Sequence, residues 1–296
     1  MSELQRPRLF RITVGAALCA VLLLGGCSAV RVGYNQADWV AYRWLDAYAG
    51  FDETQTKGVR EALAALFVWH RKTELPDYAE LLLKIDADIS ANVNAERTCG
   101  WWSAVRVRLD RVGAQAAPAM VGLAAALKPA QFESIERRYA KTNAEFRDEF
   151  AIPDRARRTV EAAKRVVSRA QWVYGDLDAF QRERIERWMA DSPYDPELAL
   201  EERLRRQQDT LQTLRRLAEG RGDRAKAEAD IRTWIQRLGQ SPRESYRQHA
   251  ARVLQFNCRL AADIHNITSA TQRRTASAKL KAWAADMRAL SAEGGG

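Results

Sequence analysis

Apolar residues, with an occasional threonine, return along the chain at intervals of three and four. Phe132, Ile135, Tyr139, Thr142, Phe146 and Phe150 form one series, Val160, Ala163, Val167, Ala170 and Tyr174 a second, and Ala276, Leu280, Trp283, Met287 and Leu290 a third. This spacing draws a single stripe down a helix, and burial against other helices satisfies it. No stretch sustains the period of two that strands require. Helix ends are marked as well. "SPRE" at 241–244 puts Ser241 at a cap, Pro242 at the first helical position and Glu244 at the third, and "DPE" at 195–197 makes a similar start. Gly175, Gly220 and Gly239 stand where helices need a left-handed exit. The pattern predicts helices over 36–48, 53–72, 75–91, 95–113, 116–126, 129–150, 154–174, 178–190, 196–219, 223–238, 242–266 and 270–291. The expected fold is all-α, an elongated bundle of roughly ten to twelve antiparallel helices.

The first residues break this rhythm. Arg6, Arg8 and Arg11 against Glu3 precede the apolar segment Ile12 to Leu24, and small residues follow. That order is the layout of a secretory signal. A membrane span competes, since residues 12–30 are uncharged and about 20 residues cross a bilayer. The adjacent Gly25 and Gly26 argue against it, each weakening a helix by roughly 1 kcal/mol. Leu24-Gly25-Gly26-Cys27 resembles the lipobox of bacterial lipoprotein precursors, in which a peptidase cuts before a cysteine whose thiol carries diacylglycerol. The resemblance implies lipid attachment at Cys27, and Ser28 after it implies sorting to the outer membrane, facing the periplasm. The expected organisation is a removed signal over 1–26, a lipidated tether over 27–34, one all-helical domain over 35–291 and a flexible tail over 292–296. A seven-residue tether reaches roughly 25 Å when extended, which confines the domain to the neighbourhood of its bilayer.

Composition sets broader bounds. The chain carries a net charge of +9; removing residues 1–26 takes away three arginines and Glu3, leaving 44 basic and 37 acidic residues, a charge of +7. Charged residues at 29% and apolar residues at 47% are those of a globular protein, which excludes disorder over most of the length. Of four cysteines, Cys19 lies in the signal and Cys27 takes lipid, so Cys99 and Cys258 remain. In an oxidising compartment thiol pairs persist as disulfides, and two thiols allow one intramolecular bridge; two independent buried thiols are the alternative.

One short pattern recurs before helices: "FDETQ" at 51, "LDAFQ" at 177 and, more loosely, "LKPAQ" at 127 and "TSATQ" at 268. It resembles the Leu-Thr-x-x-Gln motif of periplasmic helical stress chaperones of the Spy and CpxP type. Physically it is a residue before the cap, a cap in three of the four copies, and a glutamine at the third helical position folding back. A longer resemblance runs from the lipobox to about residue 290. It is carried by "GYNQADWVAYRWLDAYAGFDETQ", "WHRKTELPDYA", "RRYAKTNAEFRDEF", "RLRRQQDTLQTLRRL" and "CRLAADIHNITSATQRR", with Cys99 and Cys258 in resembling segments. The likeness is to an uncharacterised family of Gram-negative lipoproteins known as a domain of unknown function. It implies the class of protein and no activity.

Candidate chemistry is sparse. His70, His249 and His265 are the only histidines, none lies in HExxH, and no acidic residue precedes any of them by three positions. There is no GxSxG, no phosphate-cradling glycine loop and no signature of a thiol nucleophile. His70 beside Trp69 and His265 in "DIHN" suit bonds to core backbone or helix ends. We expect no catalytic, cofactor-binding or metal-binding residues.

Two surface features suggest partners instead. Trp39, Trp44, Trp69, Trp101 and Trp102 crowd the first third of the chain, with Trp39 facing Tyr42 and Trp44 facing Tyr48 on helices. They suit a core or an exposed groove for apolar client segments. Basic residues form two rows, Arg157, Arg158, Lys164, Arg165 and Arg169 on one helix and Arg203, Arg205, Arg206, Arg215 and Arg216 on another. Such rows are solvated faces or surfaces for anionic lipid headgroups. Nucleic acid is not expected, because no reading motif is present. The sequence thus points to a non-enzymatic envelope lipoprotein, bound to the membrane through Cys27, that engages another envelope protein or anionic headgroups. A membrane-tethered chaperone is the alternative, and an enzyme with an unrecognised site the third.

Overall fold

The computed structural model describes residues 29–220 and 223–293, and these are helical throughout apart from short connections, with no strand among them. The helices are α1 (Ala29–Asn35), α2 (Ala37–Ala49), α3 (Glu53–Asp88), α4 (Ala95–Ala125), α5 (Pro129–Phe150), α6 (Arg155–Tyr174), α7 (Ala179–Ala190), α8 (Pro196–Glu219), α9 (Arg224–Gly239), α10 (Glu244–Asn266) and α11 (Ala270–Glu293). The chain divides into two compact units at the Ala37–Asp38 junction, so α1 belongs to the first and the body of the protein to the second.

α1 corrects the tether expected over 27–34, because the chain is already helical from Ala29. Seven helical residues rise only about 10 Å, well short of an extended strand. Cys27 and the signal segment lie outside the described residues. α11 continues to Glu293, so residues 292 and 293 of the expected tail are helical, and 294–296 lie outside the described residues.

Two expected breaks are absent. The segments read as 53–72 and 75–91 are one helix, α3, with Pro76 inside it. A proline in a helix interior removes a hydrogen bond and costs about 3 kcal/mol. Tertiary burial outweighs that cost here: Leu75 and Glu74 are buried, and Arg111 of α4 grips the Glu74 carboxylate through Nε at 2.9 Å and Nη2 at 2.8 Å. The segments read as 95–113 and 116–126 are likewise one helix, α4, containing Pro118. Gly113 is no breaker. A Cβ there would come within 2.9 Å of Ile235 Cγ2, so the glycine lets α9 approach α4 closely.

Glycine exits follow the sequence at Gly175, whose φ is +82°, and not at Gly220 or Gly239. Gly220 is extended and Gly239 ends α9 within the helix. The other left-handed glycine is Gly50, at the turn from α2 to α3.

Three apolar clusters hold the second unit together. Ala163, Ile185 and Ile264 join α6, α7 and α10; Ala117, Leu217 and Ile231 join α4, α8 and α9; Ile89 packs against Ala276 and Leu280 of α11. A disulfide links Cys99 of α4 to Cys258 of α10, with Cα atoms 5.2 Å apart, and Thr98 Oγ1 donates to the Cys258 carbonyl at 2.7 Å.

The recurring glutamine pattern has a structural meaning beyond capping. Gln55, Gln131, Gln181 and Gln272 each accept the backbone N–H three residues upstream, at 2.8–3.1 Å. The four then pair in twos. Gln55 and Gln131 exchange amide hydrogen bonds at 2.9 Å in both directions, and Gln181 and Gln272 do the same at 2.8 and 2.9 Å. The spare amide hydrogens go to backbone carbonyls such as Ala126 and Ile267. Helix starts far apart in sequence are thereby fastened side by side.

Candidate ligand-binding cleft

A cavity of about 1040 Å³ lies among α2, α3, α4, α5, α8 and α9. This is the upper end of the size range of small-molecule sites. Its origin is visible in the sequence. Small residues at Ala62 and Ala65 of α3 and Ala116 and Ala119 of α4 occupy positions where longer side chains would fill the gap. Leu63, Leu66, Met120, Leu123, Ile135 and Leu214 supply the apolar wall. Trp44 and Tyr48 of α2 contribute an aromatic pair with centroids 4.9 Å apart, and Tyr48 meets Tyr139 of α5 edge-on at 5.8 Å.

α5 and α8 run antiparallel along the cleft, so their contacts give it direction. Arg215 pairs with Glu136 near the Ile135 and Leu214 end, whereas Asn143 meets Arg203 and Gln207 toward the other. The first end is apolar and the second is polar.

The polar end is built on Glu202, which is 1% exposed. Its carboxylate receives Arg205 through Nε at 3.0 Å and Nη2 at 2.9 Å, Arg206 Nε at 2.9 Å, and the Ser241 hydroxyl at 2.9 Å. Burial pushes this carboxyl up, but the hydrogen bonds from Arg205, Ser241 and Arg206 and the Arg205 charge outweigh it, and the group is held below its ordinary value. Asp209 is also lowered: burial opposes, while Arg237, bidentate at 2.9 and 2.8 Å, and Arg205 prevail. Both carboxylates are therefore anionic at neutral pH.

The expected start of the helix at "SPRE" is corrected by this arrangement. α10 begins at Glu244, and the buried Ser241 hydroxyl donates to Glu202 while accepting the Arg243 N–H at 3.1 Å. The motif at "DPE" behaves as expected, with Asp195 accepting from the Glu197 and Leu198 amides.

Arg203 differs from its neighbours. Its Nε donates to Asn143 Oδ1 at 2.7 Å, its Nη2 reaches the Thr142 carbonyl at 3.4 Å, and its guanidinium lies 5.5 Å from the centroid of Phe146. Asn143 is in turn fixed by reciprocal amide bonds with Gln207 at 2.8 and 2.9 Å. The guanidinium is oriented by neutral acceptors and an aromatic face, so its charge is not cancelled locally. Of the residues that line this end, Arg203 and Arg206 stand against one carboxylate, Glu202, which leaves one positive charge at this end of an apolar cleft.

The other sequence-derived candidates fall elsewhere. The row expected on α8 is not a free basic face, because Arg203, Arg205, Arg206, Arg215 and Arg216 all bond to neighbouring residues. The α6 row is mixed: Arg157 and Arg169 are exposed, Lys164 pairs with Glu161 at 2.8 Å, and Arg165 sits over Phe150. Trp39, Trp44 and Trp102 are exposed, whereas Tyr42 is buried and bonds Thr56. Trp101 donates to Asp88 at 2.8 Å, and Trp69 lies edge-on to His70. His265 is buried between the Ala91 carbonyl, 2.8 Å from Nε2, and the Tyr174 hydroxyl, 3.1 Å from Nδ1. Burial pushes its imidazole below the usual value despite the Ala91 bond. His249 is buried beside Tyr194 and Tyr246. Among the described residues no group of three His, Cys, Asp or Glu is placed to hold a metal ion, and no helix is long and apolar enough to cross a membrane.

Fold and cleft together define an all-α, disulfide-linked protein with an apolar cleft that is cationic at one end. Residues 47–247 match the model of a family of unknown function, DUF6279, and the chain belongs to that family. No curated protein and no solved structure matches it, so the local likeness to Spy- and CpxP-type proteins has no match behind it. Sequence reasoning missed the cleft. Its signal was the run of alanines at 62–65 and 114–126 on stripes otherwise suited to leucine.

Proposed function

We propose that this protein is a lipoprotein of the outer membrane, anchored through Cys27 and facing the periplasm, that acts without catalysis by holding an apolar guest in its cleft. The single observation that carries the binding role is the 1040 Å³ cleft itself. Sequestering a hydrocarbon contributes about 0.8 kcal/mol per methylene, so such a volume binds a medium-sized apolar molecule without any strong polar contact. The charged, apolar and small-residue order of residues 1–26 supports anchoring, and the Cys99–Cys258 bond accords with an oxidising compartment. The carboxylates Glu202 and Asp209 are engaged by arginines, and His249 and His265 are buried in packing or backbone contacts, which supports a role without catalysis.

Two measurements test the proposal. Mass spectrometry of the protein purified from envelopes is expected to show an acylated cysteine at the amino terminus; an intact leader or an unmodified thiol overturns the anchoring. An environment-sensitive naphthylamine dye is expected to bind saturably with enhanced emission, and Ala119→Trp, which fills the cleft from α4, is expected to abolish that binding. Saturable binding that survives Ala119→Trp unchanged overturns the role of the cleft.

A further inference from the structure

Resting on that reading of the cleft, we infer that its guest is a single-chain anionic amphiphile, bound with its acyl chain along α8 toward Leu214 and its headgroup on Arg203. Length, polarity and charge each lead to this class.

The length follows from helix geometry. Leu214 and Arg203 both line the cleft, and the eleven residues between their positions on α8 correspond to roughly 16 Å along the axis. One leaflet's share of the hydrocarbon core of a bilayer is about 15 Å, the depth that a single membrane acyl chain occupies. A chain of ordinary membrane length therefore fits between the apolar end and the guanidinium.

The polarity gradient gives the orientation. Leu214, Ile135 and Leu123 stand toward the far end, Thr210 and Gln207 in the middle, and Arg203 and Arg206, beside the rings of Phe146 and Tyr246, at the near end. An apolar molecule without a headgroup would leave this gradient unused. The charge selects the sign of the headgroup. The cleft is lined by two arginines and a single carboxylate, Glu202, which already carries hydrogen bonds from Arg205 and Arg206. Arg203 is held by Asn143 and Thr142, so its charge is available to a carboxylate or phosphate. The acyl chains expected on Cys27 carry no anionic headgroup, which argues for a separate molecule and against self-occupancy.

The test uses the full-length protein, purified from envelopes and exchanged from detergent into amphipol. Dibromostearate and the corresponding dibromo-alcohol, matched in chain and differing in head, are titrated below their aggregation thresholds. Bromine quenches tryptophan emission on contact, and Trp44 and Trp234 line the cleft. We expect saturable quenching by the acid with an affinity at least about tenfold above that of the alcohol, equivalent to about 1.4 kcal/mol. Arg203→Gln is expected to remove that preference while the alcohol binds as before, which also shows that the variant is folded; Arg203→Lys is expected to keep part of it. Equal affinity for acid and alcohol in the unmutated protein overturns the headgroup assignment and leaves the cleft reading standing. Absence of saturable quenching by either overturns both. The preference in the unmutated protein decides the matter even if Arg203→Gln fails to fold.

Discussion

Gln55 and Gln131, at the starts of α3 and α5, each spend every donor and acceptor of a side-chain amide on the same junction. Their oxygens accept from a cap and from each other, and their nitrogens donate to each other and to backbone carbonyls. Replacing one with leucine leaves the partner amide buried with an open donor and acceptor, a loss of about 1–3 kcal/mol. Gln131→Leu is thus expected to lower the unfolding free energy measured by urea titration by that amount. The double variant Gln55→Leu with Gln131→Leu is expected to cost less than the sum of the single changes, with a coupling of about 0.5–3 kcal/mol. Strict additivity would show that the pair is incidental.

Glu202 makes a second prediction. Removing its charge leaves Arg206 without its counter-charge and Arg205 with Asp209 alone, and Glu202→Gln is expected to destabilise by about 3 kcal/mol. The same group sets an acid limit. The Glu202 and Asp209 carboxyls are held below their ordinary values of 4.5 and 3.8, so their contribution is complete above those values and is lost as pH falls through the lower folded-state values. Thermal unfolding followed on acidification is expected to show a steep fall below about pH 4 that is shallower in Glu202→Gln.

The Cys99–Cys258 bond spans 159 residues of sequence. A crosslink over a loop of this length stabilises by up to about 5 kcal/mol in the chain-entropy view. Replacing both cysteines with serine is expected to lower the unfolding free energy from denaturant titration by up to that limit and to abolish the shift in electrophoretic mobility that reduction produces in the unmutated chain. A chain whose mobility is indifferent to reductant would contradict the bond.

Gly113 tests the packing of α4 against α9. Alanine is favoured over glycine in a helix by about 1 kcal/mol, but its Cβ would meet the stiff, branched side chain of Ile235. Overpacking of this kind costs about 1–3 kcal/mol, so Gly113→Ala is expected to be net destabilising by thermal melting. Ile235→Ala, which removes the obstructing methyl, should make the same change favourable.

The stripes at 132–150 and 160–174 and the caps at Asp195 and Ser269 were legible in sequence because they depend on neighbours within one or two turns. Glutamine fold-back was legible for the same reason. The pairing of Gln55 with Gln131 was not, since two identical helix starts do not say which will lie together. The continuity of α3 and α4 through Pro76, Gly113 and Pro118 was not legible for the opposite reason: the local cost of these residues is real, and contacts from Arg111, Leu217 and Ile235 outweigh it. The cleft was the least legible feature. A row of alanines reads equally as tight packing or as space, and only the distance between helices distinguishes them.

The covalent bridge has a bearing on how a guest could enter. Its ring encloses α5, α8 and α9 together with the stretch of α4 that faces the guest, whereas α2 and α3 branch off outside it. One flank of the binding space thus belongs to a closed circuit, and the other to an open arm held laterally by weak forces. Across the binding space the two flanks are joined by noncovalent contacts alone, among them the Gln55–Gln131 amide pair.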